Sequence, residues 1–425
     1  MKDGPEIMND GARIEADYIL ETTADPADVA AVMAGEQSSG TFVSVPGEDE
    51  ALKARSAARV ERCEIVAEDL PQALSSSAVD PSRRARRASV TLSWPLENLG
   101  ASLPNLMATV AGNLFELRQV SGLRIEAIRL PDAFARAYPG PAFSVTGTRR
   151  LSGVSAGPLI GTIVKPSVGL GPDETAGLIA TLCEAGIDFV KDDELQADGP
   201  HCPFDERVAA VMAVVDRHAD RTGKKVMIAF NLTGDLDEMR RRHDLVLAAG
   251  GTCVMASLNS VGLAGMLALR KHAQLPIHAH RNGWGYLTRH PSLGWSFPAW
   301  NTIWRLAGVD HCHVNGLANK FAETDPSVMI SARSCFDPLF PDDPMTVMPV
   351  FSSGQTVRQA HGTFAFLGRA DLIHTAGGGI LAHPAGPAAG VGALRRAWEA
   401  ASEGVPLEDA AKGDAELRQA MEIGA

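Results

Sequence analysis

The stretch Gly186-Ile187-Asp188-Phe189-Val190-Lys191-Asp192-Asp193-Glu194 carries an apolar run straight into one lysine and three carboxylates. Read as a buried strand, its side chains alternate, so Lys191 and Asp193 share a face and Glu194 follows where the strand gives out. Three acids beside a lysine repel one another unless a cation or the ammonium neutralises them. Hard oxygen donors of this kind suit Mg²⁺; a salt-bridged strand end is the plainer alternative. A helical stretch, Pro172 to Ala185, precedes this strand, and another, Arg207 to Ala219, follows it.

The same rhythm recurs from residue 158 onward. The strand candidates are Leu159 to Lys165, Asp188 to Lys191, Val226 to Asn231, Thr252 to Ala256, Pro276 to His280, Val309 to His313, Val347 to Phe351 and Leu372 to Ala376. Eight βα units over about 250 residues predict a (β/α)8 TIM barrel. Chemistry in such barrels sits at the C-terminal strand ends. Those ends carry Lys165, then Lys191 with Asp193 and Glu194, then Asn231, then His278, His280 and Arg281, then His313, then Ser352-Ser353-Gly354, then Gly377-Gly378-Gly379. His278 and His280 share a strand face and read either as zinc ligands or as a hydrogen-bonded core pair; His311 and His313 repeat the pattern. Loops after the seventh and eighth strands commonly bind phosphate through backbone amides, which makes Ser353, Gly354, Gly377 and Gly378 candidates for that task.

Before the barrel, Ile14 to Leu20, Arg59 to Val66 and Ala88 to Trp94 read as strands, and Ala24 to Gly35 and Leu103 to Asn113 as helices. This is an α+β pattern. Residues 1–145 are expected to form an N-terminal α+β domain and 146–425 the catalytic barrel, with Arg149 to Gly157 as the linker. The formal net charge of −12 lacks the basic footprint of a nucleic-acid partner, and no run approaches the length of a membrane span. The six cysteines are scattered without a CxxC pair, and the first residues lack a signal-peptide pattern, so a cytoplasmic enzyme with reduced thiols is expected.

These residues resemble the ribulose bisphosphate carboxylase (RuBisCO) large subunit over most of the chain. Gly161-Thr162-Ile163-Val164-Lys165-Pro166 resembles that family's first barrel strand, and Phe189 to Glu194 its activation motif. His278-Ala279-His280-Arg281 and Asp310-His311-Cys312-His313 resemble its fifth and sixth strand ends, with Lys320 placed like its mobile-loop lysine. Ser353-Gly354 and Gly377-Gly378-Gly379 resemble its phosphate strands, and Glu36 to Thr41 with Gly112-Asn113 its interface segments. Four departures separate the chain from true carboxylases. Ser167 stands where they keep a second lysine, Asn319 replaces a glycine, Phe42 replaces a tryptophan, and Arg281 continues into Asn282-Gly283-Trp284-Gly285. The last is similar to the form IV RuBisCO-like proteins.

The resemblance implies an N-terminal α+β domain of ferredoxin-like type. It implies a carbamate formed by CO₂ on Lys191, joining Asp193 and Glu194 as ligands of Mg²⁺. Lys165, Lys191, His280 and Lys320 would be catalytic, with Lys165 moving protons. His280 and His313 would orient substrate oxygens, and Arg281 with the Ser353, Gly354, Gly377 and Gly378 loops would hold phosphate. A homodimer or larger assembly of dimers, without a small subunit, would place Glu36, Thr41 and Asn113 in the neighbour's site. The implied substrate is a small phosphorylated keto sugar derivative, with decarboxylation or carbon–carbon cleavage of 3-oxo-isoapionate 4-phosphate favoured over ribulose bisphosphate fixation. The alternatives are an enolase of 2,3-diketo-5-methylthiopentyl 1-phosphate or another enolase or isomerase, and a non-catalytic regulatory homologue. A zinc amidohydrolase is disfavoured because the HxH pair follows the fifth strand rather than the first.

Overall fold

The structure, a computed structural model, describes residues 11–39, 46–75 and 79–423. It divides into two compact units. One runs to Pro139 and takes in Gly283–Leu306 and Leu339–Asp343; the other comprises the remaining segments from Gly140 on. The first unit thus takes in two segments that lie beyond the 145/146 boundary expected from the sequence.

In the first unit, strands β1 (Arg13–Thr22), β2 (Arg59–Leu70), β3 (Ala85–Pro95) and β4 (Gly122–Arg129) form an antiparallel sheet. Helix Pro26–Glu36 follows β1 and helix Leu103–Val110 follows β3. The βαββαβ order with strands arranged β4-β1-β3-β2 is the ferredoxin-like plan. The first helix starts as its Asp-Pro sequence requires: Asp25 accepts from the amides of Ala27 and Asp28, and proline occupies the first turn.

In the second unit, β5 (Leu159–Ile163), β6 (Phe189–Lys191), β7 (Met227–Asn231), β8 (Cys253–Ser257) and β9 (Ile277–His280) begin the barrel. Strand β10 (Leu293–Trp295) belongs to the first unit, where it pairs in parallel with β4 and widens that sheet to five strands. Then β11 (His311–His313), β12 (Met348–Phe351) and β13 (Ile373–Thr375) close a barrel of eight parallel strands. All eight expected barrel strands are present.

The barrel strands are buried along nearly their whole length, as strands covered by helices must be. Leu159, Phe189, Met227, Met255, Met348, Val350 and Ile373 fill the interior, and Val145, Leu151 and Val154 pack against them. Two of these three sit on helix Ser144–Ser152, so the segment expected to be a linker from Arg149 is instead helical up to a left-handed cap at Gly153. Arg149 ties this segment to the barrel through Asp371 at 2.8 Å. Among the described residues no helix is long and apolar enough to cross a membrane.

Candidate active site at the ends of the barrel strands

Strand β6 ends at Lys191, and its alternation decides where the next three acids go. Lys191 is 2% exposed, and its Nζ donates to Asp192 O (2.9 Å) and to Glu194 Oε2 (3.0 Å). Asp193 shares the same side, and its Oδ2 accepts from Lys165 Nζ at 2.7 Å. Asp192 points the other way. Its Oδ2 accepts from the fully buried Arg207 at 3.2 Å and from the Asn231 amide at 3.0 Å, so it is a structural partner. Asn231 in turn donates from Nδ2 to the carbonyls of Asp193 and Glu194, both at 3.3 Å, and pins the turn that carries them.

Two carboxylates are therefore neutralised by two ammonium groups. Burial alone would raise the Glu194 carboxyl, but the charges of Lys191 and His280 hold it at about 2. An unmodified Lys191 offers no acceptor. Turned into an anion, its tip would join Asp193 and Glu194 as a third hard oxygen donor, a set suited to Mg²⁺. The donor chemistry fits.

His280, at the end of β9, accepts from the Asn282 amide at Nδ1 (3.2 Å), which leaves the Nε2 proton facing Glu194 at 3.4 Å. Burial and the Lys191 charge depress it to about 4, so it is neutral near pH 7. The other histidines form a buried chain. Thr148 Oγ1 gives its proton to Ser144 O (2.5 Å), so it accepts from His311 Nε2 (2.7 Å). His311 Nδ1 then accepts from His278 Nδ1 (3.3 Å), and His278 Nε2 accepts from His313 Nε2 (2.8 Å). His313 Nδ1 is left to accept from Ser352 Oγ (3.1 Å). His278, His311 and His313 thus form a hydrogen-bonded core arrangement, whereas His280 takes the Asn282 amide instead. His313, expected to orient substrate, has both ring nitrogens facing protein groups.

Burial also holds His311 at about 3 and His374 at about 3. The unfolded chain binds protons at these positions first, so acid favours unfolding. Stability is expected to be full above about pH 6.5 and to fall as pH drops toward 3, by up to about 1.4 kcal/mol per pH unit per histidine. Thermal unfolding at pH 7 and pH 5 checks this; an unchanged Tm would contradict it.

The loop after β12 turns sharply, with Ser353 and Gly354 both left-handed (φ 71 and 86°). After β13, Gly379 packs so closely that an added Cβ would lie 2.8 Å from Gln355 O, whereas Gly378 has open space and Gly377 meets only Ile163 Cδ1 at 4.0 Å. Gly377 and Gly378 are thus the glycines open to a ligand, and Gly379 serves packing. Lys320 is exposed; its amide donates to Ser353 O (3.1 Å) and its Nζ lies 5.3 Å from the Phe321 ring centre. Arg281 pairs with Glu323 at 2.5 Å.

In the first unit, Asn113 Nδ2 donates to Glu36 Oε1 at 3.2 Å. Thr41 and Phe42 lie outside the described residues. Elsewhere, His243, Asp244 and His272 are close enough to share a cation. His243 Nε2 accepts the Gln274 amide at 3.0 Å, so its Nδ1 carries a proton toward Asp244, and the trio is a carboxylate-bridged histidine pair. Sequence reasoning missed Arg207, Thr148 and Glu323. Each acts through a partner distant in sequence, which no local motif signals.

The family model for the ribulose bisphosphate carboxylase large chain, catalytic domain, matches residues 144–423, and that for its N-terminal domain matches 14–134. A relative from Xanthobacter autotrophicus, named 3-oxo-isoapionate-4-phosphate transcarboxylase/hydrolase, is 61% identical over 96% of this chain and 98% of its own. One from Rhizobium etli, named 3-oxo-isoapionate-4-phosphate decarboxylase, is 46% identical over 95% of both chains. The crystal structure of a rubisco-like protein from Burkholderia fungorum superposes with a TM-score of 0.92 at 48% identity, covering 97% of this chain and 99% of that one. Matched to the family over residues 14–134 and 144–423, the chain belongs to the RuBisCO large-chain family as a form IV, RuBisCO-like enzyme.

Proposed function

We propose that the enzyme breaks a carbon–carbon bond beside the ketone of 3-oxo-isoapionate 4-phosphate, by the cleavage and hydrolysis route before simple decarboxylation, and that it does not fix CO₂ on ribulose bisphosphate. The observation that carries this reading is the retained Lys165–Asp193 and Lys191–Glu194 cluster in a chain 61% identical to a relative bearing that activity in its name. The higher identity to the transcarboxylase/hydrolase than to the decarboxylase, 61% against 46%, sets the preference between routes.

A 3-oxo acid yields its carbon–carbon bond because the neighbouring ketone accepts the electrons left behind. Family members generally use Mg²⁺ and a carbamylated lysine, and here Lys191, as a carbamate, would hold the ion with Asp193 and Glu194. Once bound, Mg²⁺ supplies positive charge near the developing oxyanion. Lys165 Nζ, between Asp193 Oδ2 and Ser167 Oγ (both 2.7 Å) and partly open to solvent, is the group that gives or takes the proton at the reacting carbon. Neutral His280 orients a substrate oxygen; His313 contributes through the Ser352 hydroxyl it orders. The amides of Gly354, Gly377 and Gly378 grip the phosphate, and Lys320 closes over the substrate from its loop. Family membership supports a homodimer in which Glu36, Thr41 and Asn113 reach the neighbour's site.

The test is NMR of the full chain with Mg²⁺, bicarbonate and 3-oxo-isoapionate 4-phosphate. Glycolate with 3-phosphoglycerate is the expected outcome. A four-carbon ketose phosphate with CO₂ would instead establish the decarboxylase, and an untouched substrate would sink the proposal.

A further inference from the structure

Arg281 stands at the end of β9, where an exposed guanidinium would be an open anion site. Its Nη2 is instead engaged by Glu323 Oε2 at 2.5 Å, with the two side chains only 5% and 13% exposed. The same carboxylate oxygen accepts from Asn315 Nδ2 at 2.6 Å, and Glu323 Oε1 accepts from Ser327 Oγ at 2.8 Å. Asn315 is itself fixed. It sits in a left-handed conformation (φ 64°), and its Oδ1 accepts from Ser353 Oγ at 2.8 Å. A carboxylate of the protein's own is thus built into this position, with a cation and two neutral donors turned toward it. Its bonds join the end of β9 to the loop after β11, and Asn315 extends the link to the loop after β12.

We propose that Glu323 is a specificity-determining residue: it fills, as an internal anion, the position that Arg281 would otherwise offer to a second phosphate. The site then takes substrates with one phosphate, gripped at the glycine loops of Gly354, Gly377 and Gly378, and rejects bisphosphates. The inference rests on the monophosphate substrate class proposed above. A second phosphate would bring two negative charges beside a largely buried carboxylate, where like charges are poorly screened. Moving Glu323 aside instead strips a charged acceptor of three donors, and an unpaired buried charge is costly.

The probes are ribulose 5-phosphate and ribulose 1,5-bisphosphate, which differ by one phosphate, titrated calorimetrically into the full chain with Mg²⁺ and bicarbonate. Glu323→Ala and Glu323→Gln are compared with the parent. Both variants are expected to bind the bisphosphate at least about tenfold tighter than the parent does, while monophosphate affinity changes less than about threefold, since removing a like charge acts only on the added phosphate. If the alanine variant does not fold, the glutamine variant, which keeps shape and loses charge, carries the test. The proposal is overturned if folded variants gain no bisphosphate affinity, or if they lose both ligands in parallel, which would make Glu323 a loop support. It is also overturned if the parent already binds both ligands equally. These affinities are read without turnover, so a parent that leaves 3-oxo-isoapionate 4-phosphate untouched defeats the functional proposal separately.

Discussion

Replacing Lys191 with alanine is expected to lower Mg²⁺-dependent turnover by about 10³-fold or more, the equivalent of several kcal/mol of charge stabilisation at the reacting oxygens. Lys191 is the residue through which the cluster changes sign. As an ammonium it neutralises Glu194 at 3.0 Å; as a carbamate it would add a third anionic donor to Asp193 and Glu194. Alanine supplies neither. Lys191→Arg separates the two roles, because it keeps a positive charge beside Glu194 but forms no carbamate, and it is expected to be as inactive as the alanine variant. Turnover and Mg²⁺ affinity measured side by side decide the matter. An alanine variant retaining more than a tenth of parental turnover would remove Lys191 from the machinery.

Arg207→Leu is expected to destabilise the fold by about 3–5 kcal/mol, the usual cost of leaving one buried partner of an ion pair alone. Arg207 is fully buried, and it bonds Asp192 Oδ2 (3.2 Å), Ala197 O (2.7 Å) and Cys202 O (3.0 Å). Asp192 also accepts the Asn231 amide, and Asn231 holds the carbonyls of Asp193 and Glu194. The lesion therefore reaches the site, and weaker Mg²⁺ binding is expected alongside the lower Tm. Adding Asp192→Asn removes the stranded charge and is expected to recover part of the stability. Denaturant unfolding of both variants checks this, and a loss below about 1 kcal/mol for Arg207→Leu would show the pair to be dispensable.

Much of the barrel is legible because its strands are buried on both faces and so appear as unbroken apolar runs ending in polar groups. The strand Gly122–Arg129 does not stand out in the sequence, because its alternation breaks between Ile125 and Ile128, where the pairing of β1 with β4 shifts register. Helix Ser144–Ser152 resembles a linker in part because its apolar positions are few; its burial comes from the barrel interior it caps. In the Lys191–Glu194 motif, strand alternation places Lys191 and Asp193 together and turns Asp192 away, but that Arg207 waits there depends on a helix folding back. The opposite chemistry at Arg281 is the sharper lesson. The resemblance implies a phosphate ligand at Arg281, and the structure pairs that guanidinium with Glu323, a glutamate 42 residues on.

Strand β10 leaves the barrel's sequence after β9, lies along β4, and returns before β11. The ferredoxin-like unit is therefore completed by residues encoded in the middle of the barrel, and modular exchange has no clean seam here. A fragment beginning at residue 146 would carry the Trp284, Phe297, Trp300 and Trp304 aromatic cluster without the sheet it was shaped for. A fragment ending at residue 145 would present β4 as a bare edge, the kind of surface on which chains aggregate. Substitutions in Gly122–Arg129 and in Leu293–Trp295 therefore act on one and the same pairing, although the two strands lie far apart along the sequence.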